Sequence, residues 1–339
     1  MDTIEITKKL MRYKTMQKNP DEIARCADFI EELVKETGNK PERIEHDGVI
    51  SIRCIPKDAV VLLMSHIDVV DADDGLFEPV EKDGNIYGRG SLDDKYAVAI
   101  SLKLMEEFPE KVGILITGDE EVGGKNGAAK ALEGVSPIFA IALDGGDTKK
   151  IITKSKGVSR AKVSFTGKSG HGSRPWSGIN AIEGLMEDLE VIKGFFNDKD
   201  EGHWHKTLNI GRINGGDSFN KIPDHAEALL DIRYTENDDI ENVLEEIRGK
   251  IKGELEVKTI EPMFYGTSEG FTRDLVELSG AELAVAHGAS DARFLSKHGM
   301  EGIIWGADGD GSFHQDDEHV SIESIEKIEN ILRKFLERR

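Results

Sequence analysis

The sequence predicts an α/β protein: a mixed, largely parallel sheet flanked by helices, with a smaller α+β domain inserted into it. Three observations carry that expectation. First, Val60–Met64, Lys111–Thr117 and Pro137–Leu143 are short, mostly apolar runs of the kind that form strands buried on both faces. Second, each run leads into side chains that bind charge or metal: His66 and Asp68, then Asp119-Glu120-Glu121, then Asp144. Third, residues 157–262 follow a β-α-β-β-α-β order of their own.

A chain of 339 residues is long enough for two domains with separate cores. Its 65 acidic and 44 basic residues leave a formal charge of -21, which speaks against partners such as nucleic acid or an anionic membrane surface. Cys26 and Cys54 form neither a metal-type pair nor a disulfide framework. The opening MDTIEITKKL lacks the apolar core of a signal peptide. No stretch approaches the roughly 18 unbroken apolar residues of a membrane span. The expectation is a soluble, cytoplasmic protein.

Asn19-Pro20-Asp21-Glu22 marks a helix start: a cap, a proline in the first turn, and acids near the positive end of the dipole. Ile23, Cys26, Ala27, Ile30, Leu33 and Val34 recur at helical spacing, and Gly38 stops the helix. Gly48–Ile55 reads as a strand, and Pro56-Lys57-Asp58 turns the chain into the first buried run. There the i, i+2 spacing puts His66 and Asp68 on one side of an extended segment. Alone, that pair suits a core histidine satisfied by an aspartate as well as it suits a metal site. An acidic, solvated loop follows at Asp71–Asp74, then a turn at Asp83-Gly84-Asn85. The glycines of Tyr87-Gly88-Arg89-Gly90-Ser91-Leu92-Asp93-Asp94-Lys95 permit tight backbone geometry before an apolar helix that begins near Lys95. Asp93 and Asp94 also suit the start of that helix.

The inserted segment has a strand at Val158–Phe165, a helix at Asn180–Phe196, strands at Leu208–Ile213 and Ala226–Tyr234, a helix at Ile240–Ile251 and a strand at Glu254–Ile260. That order is the ferredoxin-like split unit. The expected domains are therefore 1–156 with 263–339, and 157–262. The chain returns through Ser290-Asp291-Ala292-Arg293, a strand at Gly302–Trp305, a glycine/aspartate loop at Gly306–Gly311, and Ser312-Phe313-His314. It ends in a helix whose apolar face is Ile322, Ile325, Ile328, Ile331, Leu332 and Phe335.

In open α/β sheets, ligands sit outside the carboxyl ends of the strands. His66, Asp93, Glu121, Asp144 and His314 are all expected in loops at that edge. Two imidazoles and three carboxylates, with no thiolate, suit two divalent cations such as zinc, manganese or cobalt. One carboxylate must then bridge the pair. His203-Trp204-His205, His225 and His319 carry no expected site.

The series His66-Ile67-Asp68, Tyr87-Gly88-Arg89-Gly90-Ser91-Leu92-Asp93-Asp94-Lys95, Asp119-Glu120-Glu121, Asp144, Gly170-His171-Gly172-Ser173-Arg174-Pro175 and His314 closely resembles the zinc-dependent aminoacylase/carboxypeptidase-G metallopeptidase family. That family includes acetylornithine deacetylase, succinyl-diaminopimelate desuccinylase and di- and tripeptidases. The resemblance covers nearly the whole chain. It implies that Asp93 bridges two ions, that His66 and Asp144 complete one, and that Glu121 and His314 complete the other. By the same resemblance Asp68 orients His66, Glu120 is the general base, and His171 stabilises the oxyanion. In dimeric relatives the matching histidine reaches into the partner subunit. Asn220 and Arg233 are implied to bind substrate, while Arg293 reads as a structural ion pair.

The implied activity is hydrolysis of an amide in a small molecule with a free carboxylate. Two substrate classes compete. One is an N-acylated amino acid, cleaved in the deacetylase or desuccinylase manner. The other is a short peptide, cleaved by a di- or tripeptidase or aminopeptidase. Asp144 stands where the deacylases commonly carry Glu, which favours the peptidases. The Asp119-Glu120-Glu121-Val122-Gly123 run and the modest length favour the deacylases, toward which the reading leans. A catalytically inactive, ligand-binding homologue would lack a ligand or the base, and all six residues are present. The resemblance further implies a homodimer in which the inserted domain serves as lid and dimerisation domain.

Overall fold

The computed structural model describes residues 1–136, 138–200 and 202–339. The chain separates into two compact units. One comprises Met1–Lys154, Phe264–Ala286 and Ser290–Arg339; the other comprises Ser155–Met263 and His287–Ala289. The short return of His287–Ala289 to the second unit is not part of the sequence expectation.

In the first unit, one sheet runs in the order Glu42–His46, Val49–Cys54, Val112–Thr117, Val61–His66, Phe139–Ala142, Gly302–Ile304, Lys150–Ser155, Phe264–Tyr265. From Val112–Thr117 to Gly302–Ile304 the neighbours are parallel, and the flanking pairs Val49–Cys54 and Lys150–Ser155 are antiparallel. Every residue of Val61–His66 and of Val112–Thr117 is buried, which accounts for their lack of polar alternation. His66 lies opposite Thr117, and Met64 lies opposite Ala142. The chain therefore leaves three adjacent strands at one edge, where Asp68, Asp119–Glu121 and Asp144 follow.

The helix Tyr96–Glu107 is apolar nearly all round: Ala97, Val98, Ile100, Leu102 and Leu104 are fully buried. Each large aliphatic side chain so placed stabilises the fold by about 1.5–3 kcal/mol. The terminal helix Ile322–Glu337 packs Ile325, Ile328, Leu332 and Phe335 into the same core.

Some local expectations are corrected. Asn19 precedes the helix Pro20–Glu36, but its side chain does not cap it; Nδ2 donates to the Lys14 carbonyl at 3.2 Å instead. Asp93 and Asp94 are not helix caps. The helix starts at Tyr96, Asp93 has φ -130 and ψ 85, and both carboxylates are buried. Pro137, the expected start of the third run, lies outside the described residues, and the strand observed is Phe139–Ala142. Glu42–His46 escapes sequence reading because four of its five side chains are charged or imidazole, as suits an edge strand.

The second unit has a four-stranded antiparallel sheet ordered Thr207–Gly215, His225–Tyr234, Gly157–Thr166, Glu254–Glu261. Ala226, Ala228, Leu230 and Ile232 alternate along the second of these strands. They pack with Leu185 and Leu189 of the helix Ala181–Lys193 and with Leu244 and Ile247 of the helix Ile240–Lys250. A separate two-stranded pair joins Gly170–His171 to Lys221–Ile222. Among the described residues no helix is long and apolar enough to cross a membrane.

Candidate metal centre

Two groups of side chains at the strand edge bring donor atoms within 4.8 Å of one another: His66, Asp93 and Asp144, and Asp93, Glu121 and His314. Asp93 belongs to both. Its Oδ1 lies 2.8 Å from His66 Nε2, and its Oδ2 lies 3.1 Å from His314 Nε2. His314 Nε2 is also 3.2 Å from Glu121 Oε2. Each oxygen of one carboxylate thus faces a different imidazole, as a ligand shared between two ions must. His66 is 1% exposed, whereas the His314 side chain is 51% exposed. The first group is the more buried, with Asp144 alone intermediate, and the second opens to solvent at His314. His314 itself has φ 62, a left-handed conformation uncommon outside glycine.

The supporting bonds explain how the donors are aimed. His66 Nδ1 lies 2.9 Å from the Asp68 carbonyl and 3.4 Å from Asp68 Oδ1, so Nδ1–H donates and Nε2 is left to face Asp93. The Asp68 carboxylate accepts the backbone N–H of Glu120 at 3.1 Å and of Glu121 at 3.0 Å, and Gln17 Nε2 at 3.0 Å. One buried aspartate therefore orients both His66 and the turn Glu120–Val122. On the other side, Glu318 accepts the N–H groups of Leu92 and Asp93, and Arg89 joins Glu318 to the His314 carbonyl. Gln17, Arg89 and Glu318 have no assigned role in the sequence reading. Glu318 ends the acidic run Asp316-Asp317-Glu318, and nothing local in the sequence marks it.

The charges interact strongly. Burial works against ionisation of Asp93, yet hydrogen bonds from His314 and His66 outweigh it and hold the carboxyl well below its ordinary range. Burial, then the charges of Asp93, Asp291 and Glu121, push Asp144 up to about 7 against the pull of His66. Burial, then Asp144 and Asp291, push Glu120 well up, opposed by His66 and Arg293. Hydrogen bonds to Asp93 and Glu121 raise His314 to about 10. The gathered carboxylates thus draw protons onto the imidazoles. Divalent cations bound by the same nitrogen and oxygen atoms supply that compensation with the imidazoles neutral. The donor set fits such ions.

The remaining candidates lie in the second unit. His171 Nδ1 accepts the Ser173 N–H at 3.2 Å, with Ser173 Oγ at 2.8 Å. The neutral ring therefore carries its proton on Nε2. Asn220 is a neighbour, its carbonyl taking the Gly172 N–H at 2.7 Å. Arg233 does not stand free as a clamp: its Nε and Nη2 bond Asp231 at 2.7 and 3.2 Å. Arg293, in the first unit, donates Nη2 to the Gly123 carbonyl at 2.8 Å, and its Nη1 lies 3.9 Å from Glu120 Oε1.

A family model described as peptidase family M20/M25/M40 matches residues 62–338. Over 366 aligned positions the chain is 30% identical to succinyl-diaminopimelate desuccinylase of Wolinella succinogenes, with 98% of each chain covered. It is 30% identical over 303 positions to the enzyme of that name from Helicobacter pylori strain G27, covering 80% of this chain and 77% of that one. Aminopeptidase PepT from Bacillus cereus superposes with a TM-score of 0.80 at 21% identity, over 99% of this chain and 97% of that one. The M20 family metallo-carboxypeptidase Sso-CP2 from Sulfolobus solfataricus also superposes at 0.80, with 18% identity and 99% of each chain covered. At such identities the two structural matches bear on the fold.

Proposed function

This chain belongs to peptidase family M20/M25/M40, and on that premise we propose that it removes an acyl group, succinyl or acetyl, from the nitrogen of an amino acid that keeps a free carboxylate. It is a hydrolase of amide bonds. The observation that carries the metal-dependent reading is Asp93, whose two oxygens each face a different imidazole. On this reading His66, Asp93 and Asp144 hold one divalent ion, and Asp93, Glu121 and His314 hold a second: zinc, or cobalt or manganese in its place. When bound, such ions supply a Lewis acid and lower the pKa of water.

The chain's own residues do the rest. Asp68 keeps the His66 imidazole in its Nδ1–H form and fixes the turn that carries Glu120. Glu120 lies outside both donor groups, as a base must. It takes a proton from the attacking water and returns it to the leaving nitrogen. His171, with its proton on Nε2, donates to the oxyanion. Asn220 and Arg233 contact the substrate, Arg233 after exchanging Asp231 for the substrate carboxylate. On this reading the chain forms a homodimer through the second unit, whose exposed side chains include the apolar Ile213, Leu229 and Ile260. The free thiols of Cys26 and Cys54 go with the cytoplasm.

The deacylase reading is supported by the relatives named as desuccinylases. Asp144 in place of Glu favours a di- or tripeptidase as the second reading. A hydrolysis screen of N-succinyl and N-acetyl amino acids beside di- and tripeptides, with zinc, manganese or cobalt added, separates them. Cleavage of the acyl amino acids is expected. Cleavage of peptides alone transfers the assignment to the peptidases, and no cleavage with any of the metals leaves an inactive homologue.

A further inference from the structure

We propose that Arg293 is a positioning residue for the base: it anchors the far end of the turn bearing Glu120 and sets where the Glu120 carboxylate rests. The inference builds on the assignment of Glu120 as base. Arg293 is 2% exposed and lies in the segment Asp291–His298. One arm of its guanidinium donates to the carbonyl of Gly123, the residue that closes the turn Glu120–Val122. The other arm lies 3.9 Å from Glu120 Oε1.

The rest of the segment grips the same turn. Asp291 Oδ2 accepts Thr117 Oγ1 at 3.0 Å, at the end of the strand that leads into it. Gly124, at φ +61, packs so closely on Asp291 and the Phe294 ring that no Cβ would fit. Asp68 holds the front of the turn through the N–H groups of Glu120 and Glu121, and Arg293 holds its back. A carbonyl alone does not call for a buried cation, because any N–H or O–H donor satisfies it. A guanidinium fork can bond the backbone with one arm and face a carboxylate with the other. Glu120 shares its cavity with His66, Asp144 and Asp291; the two carboxylates repel it, His66 and Arg293 attract it, and Arg293 is the cation also bonded to the turn that carries Glu120.

The test uses Arg293→Gln, Arg293→Met and Arg293→Lys in the zinc-loaded enzyme. Gln keeps a donor without the charge, and Lys keeps the charge without the fork. Arg293→Gln and Arg293→Met should lose about 10–100-fold in kcat with KM nearly unchanged and metal content intact, and Arg293→Lys should regain part of the loss. Added to Glu120→Gln, Arg293→Gln should cost little more, because a missing base cannot be misplaced. Crystal structures should show the Glu120 carboxylate displaced or split in Arg293→Gln and near its original position in Arg293→Lys. Unchanged kcat, losses that multiply in the double variant, or an unmoved carboxylate would overturn the proposal. If the wild-type chain cleaves nothing, the functional reading fails, and the crystallographic comparison still decides the role of Arg293.

Discussion

Glu318 accepts the backbone N–H of Asp93 at 3.2 Å through the oxygen that also takes the Leu92 N–H at 3.0 Å. Its other oxygen bonds Arg89 at 2.5 Å, and Arg89 reaches the His314 carbonyl at 3.2 Å. Both side chains are at most 3% exposed. A pair buried so deeply adds little net stability. Its consequence is geometric, since it ties the carboxylate that faces both imidazoles to the backbone of His314. Glu318→Gln is expected to weaken metal affinity about 10–100-fold, read by competition titration with zinc. The single change should also destabilise the protein by about 3–5 kcal/mol, whereas Arg89→Met with Glu318→Met together should cost much less. Metal affinity should stay weak in the double variant. Full affinity in Glu318→Gln would show that Asp93 is held in place by other bonds.

On the proposed mechanism, Glu120→Gln preserves shape and removes the base. Because Glu120 is in neither donor group, the variant should bind its full complement of metal. Turnover should fall by about 10²–10⁴. Metal analysis and the hydrolysis assay on one preparation check both parts. Near-normal turnover would move the base to another residue.

The strand ends were readable because burial on both faces leaves a signature that composition cannot mimic: Val61–His66 has no polar residue before Ser65. The donors at those ends, His66, Glu121 and Asp144, follow from that pattern. Asp93 was harder, since an acid before a helix normally reads as a cap; the family resemblance singles it out in the sequence, and its buried, non-helical placement sets it apart from a cap in the structure. The supporting residues were illegible for a different reason. Gln17, Arg89 and Glu318 act through bonds to residues 51, 229 and 225 positions away, and no local period records such partners. Arg233 shows the converse. A guanidinium apt for substrate was legible, but its bidentate bond to Asp231, two residues along the same strand, was not.

The protons held by the site predict an inverted pH dependence in the metal-free protein. Hydrogen bonds to Asp93 and Glu121 push His314 up to about 10 from an ordinary 6.5, and burial pushes Asp144 up to about 7 from 3.8. In both cases the folded chain holds the proton more tightly than the unfolded chain, so stability falls as pH rises. Asp144 contributes between 3.8 and about 7, and His314 between 6.5 and about 10. Lys95, buried and lowered to about 8 from 10.5, has the opposite slope, but only above about pH 8. The Tm of chelator-treated protein should therefore fall from about pH 5 to about pH 8. Zinc affinity should rise over the same interval, with release of protons on binding. His314→Asn should flatten both trends. A Tm that climbs through this range would mean that the cluster does not hold its protons as the geometry implies.

His171 offers a test of assembly. Its exposed ring has Nδ1 occupied by the Ser173 N–H, so Nε2–H is its free donor. The two candidate donor groups lie in the other unit of the chain. If a second copy supplies the histidine, His171→Ala and Glu120→Ala are each inactive alone but complementary together. In a mixed dimer, the chain that keeps Glu120 meets the partner that keeps His171, which completes one site of two. Random reassortment makes about half of the dimers mixed, so activity should return to about a quarter of wild type. If each chain uses its own His171, every site in the mixed dimer lacks one of the two groups, and no activity returns. Mixing after reversible dissociation, with the mixed dimer confirmed by differential tags, distinguishes the two arrangements.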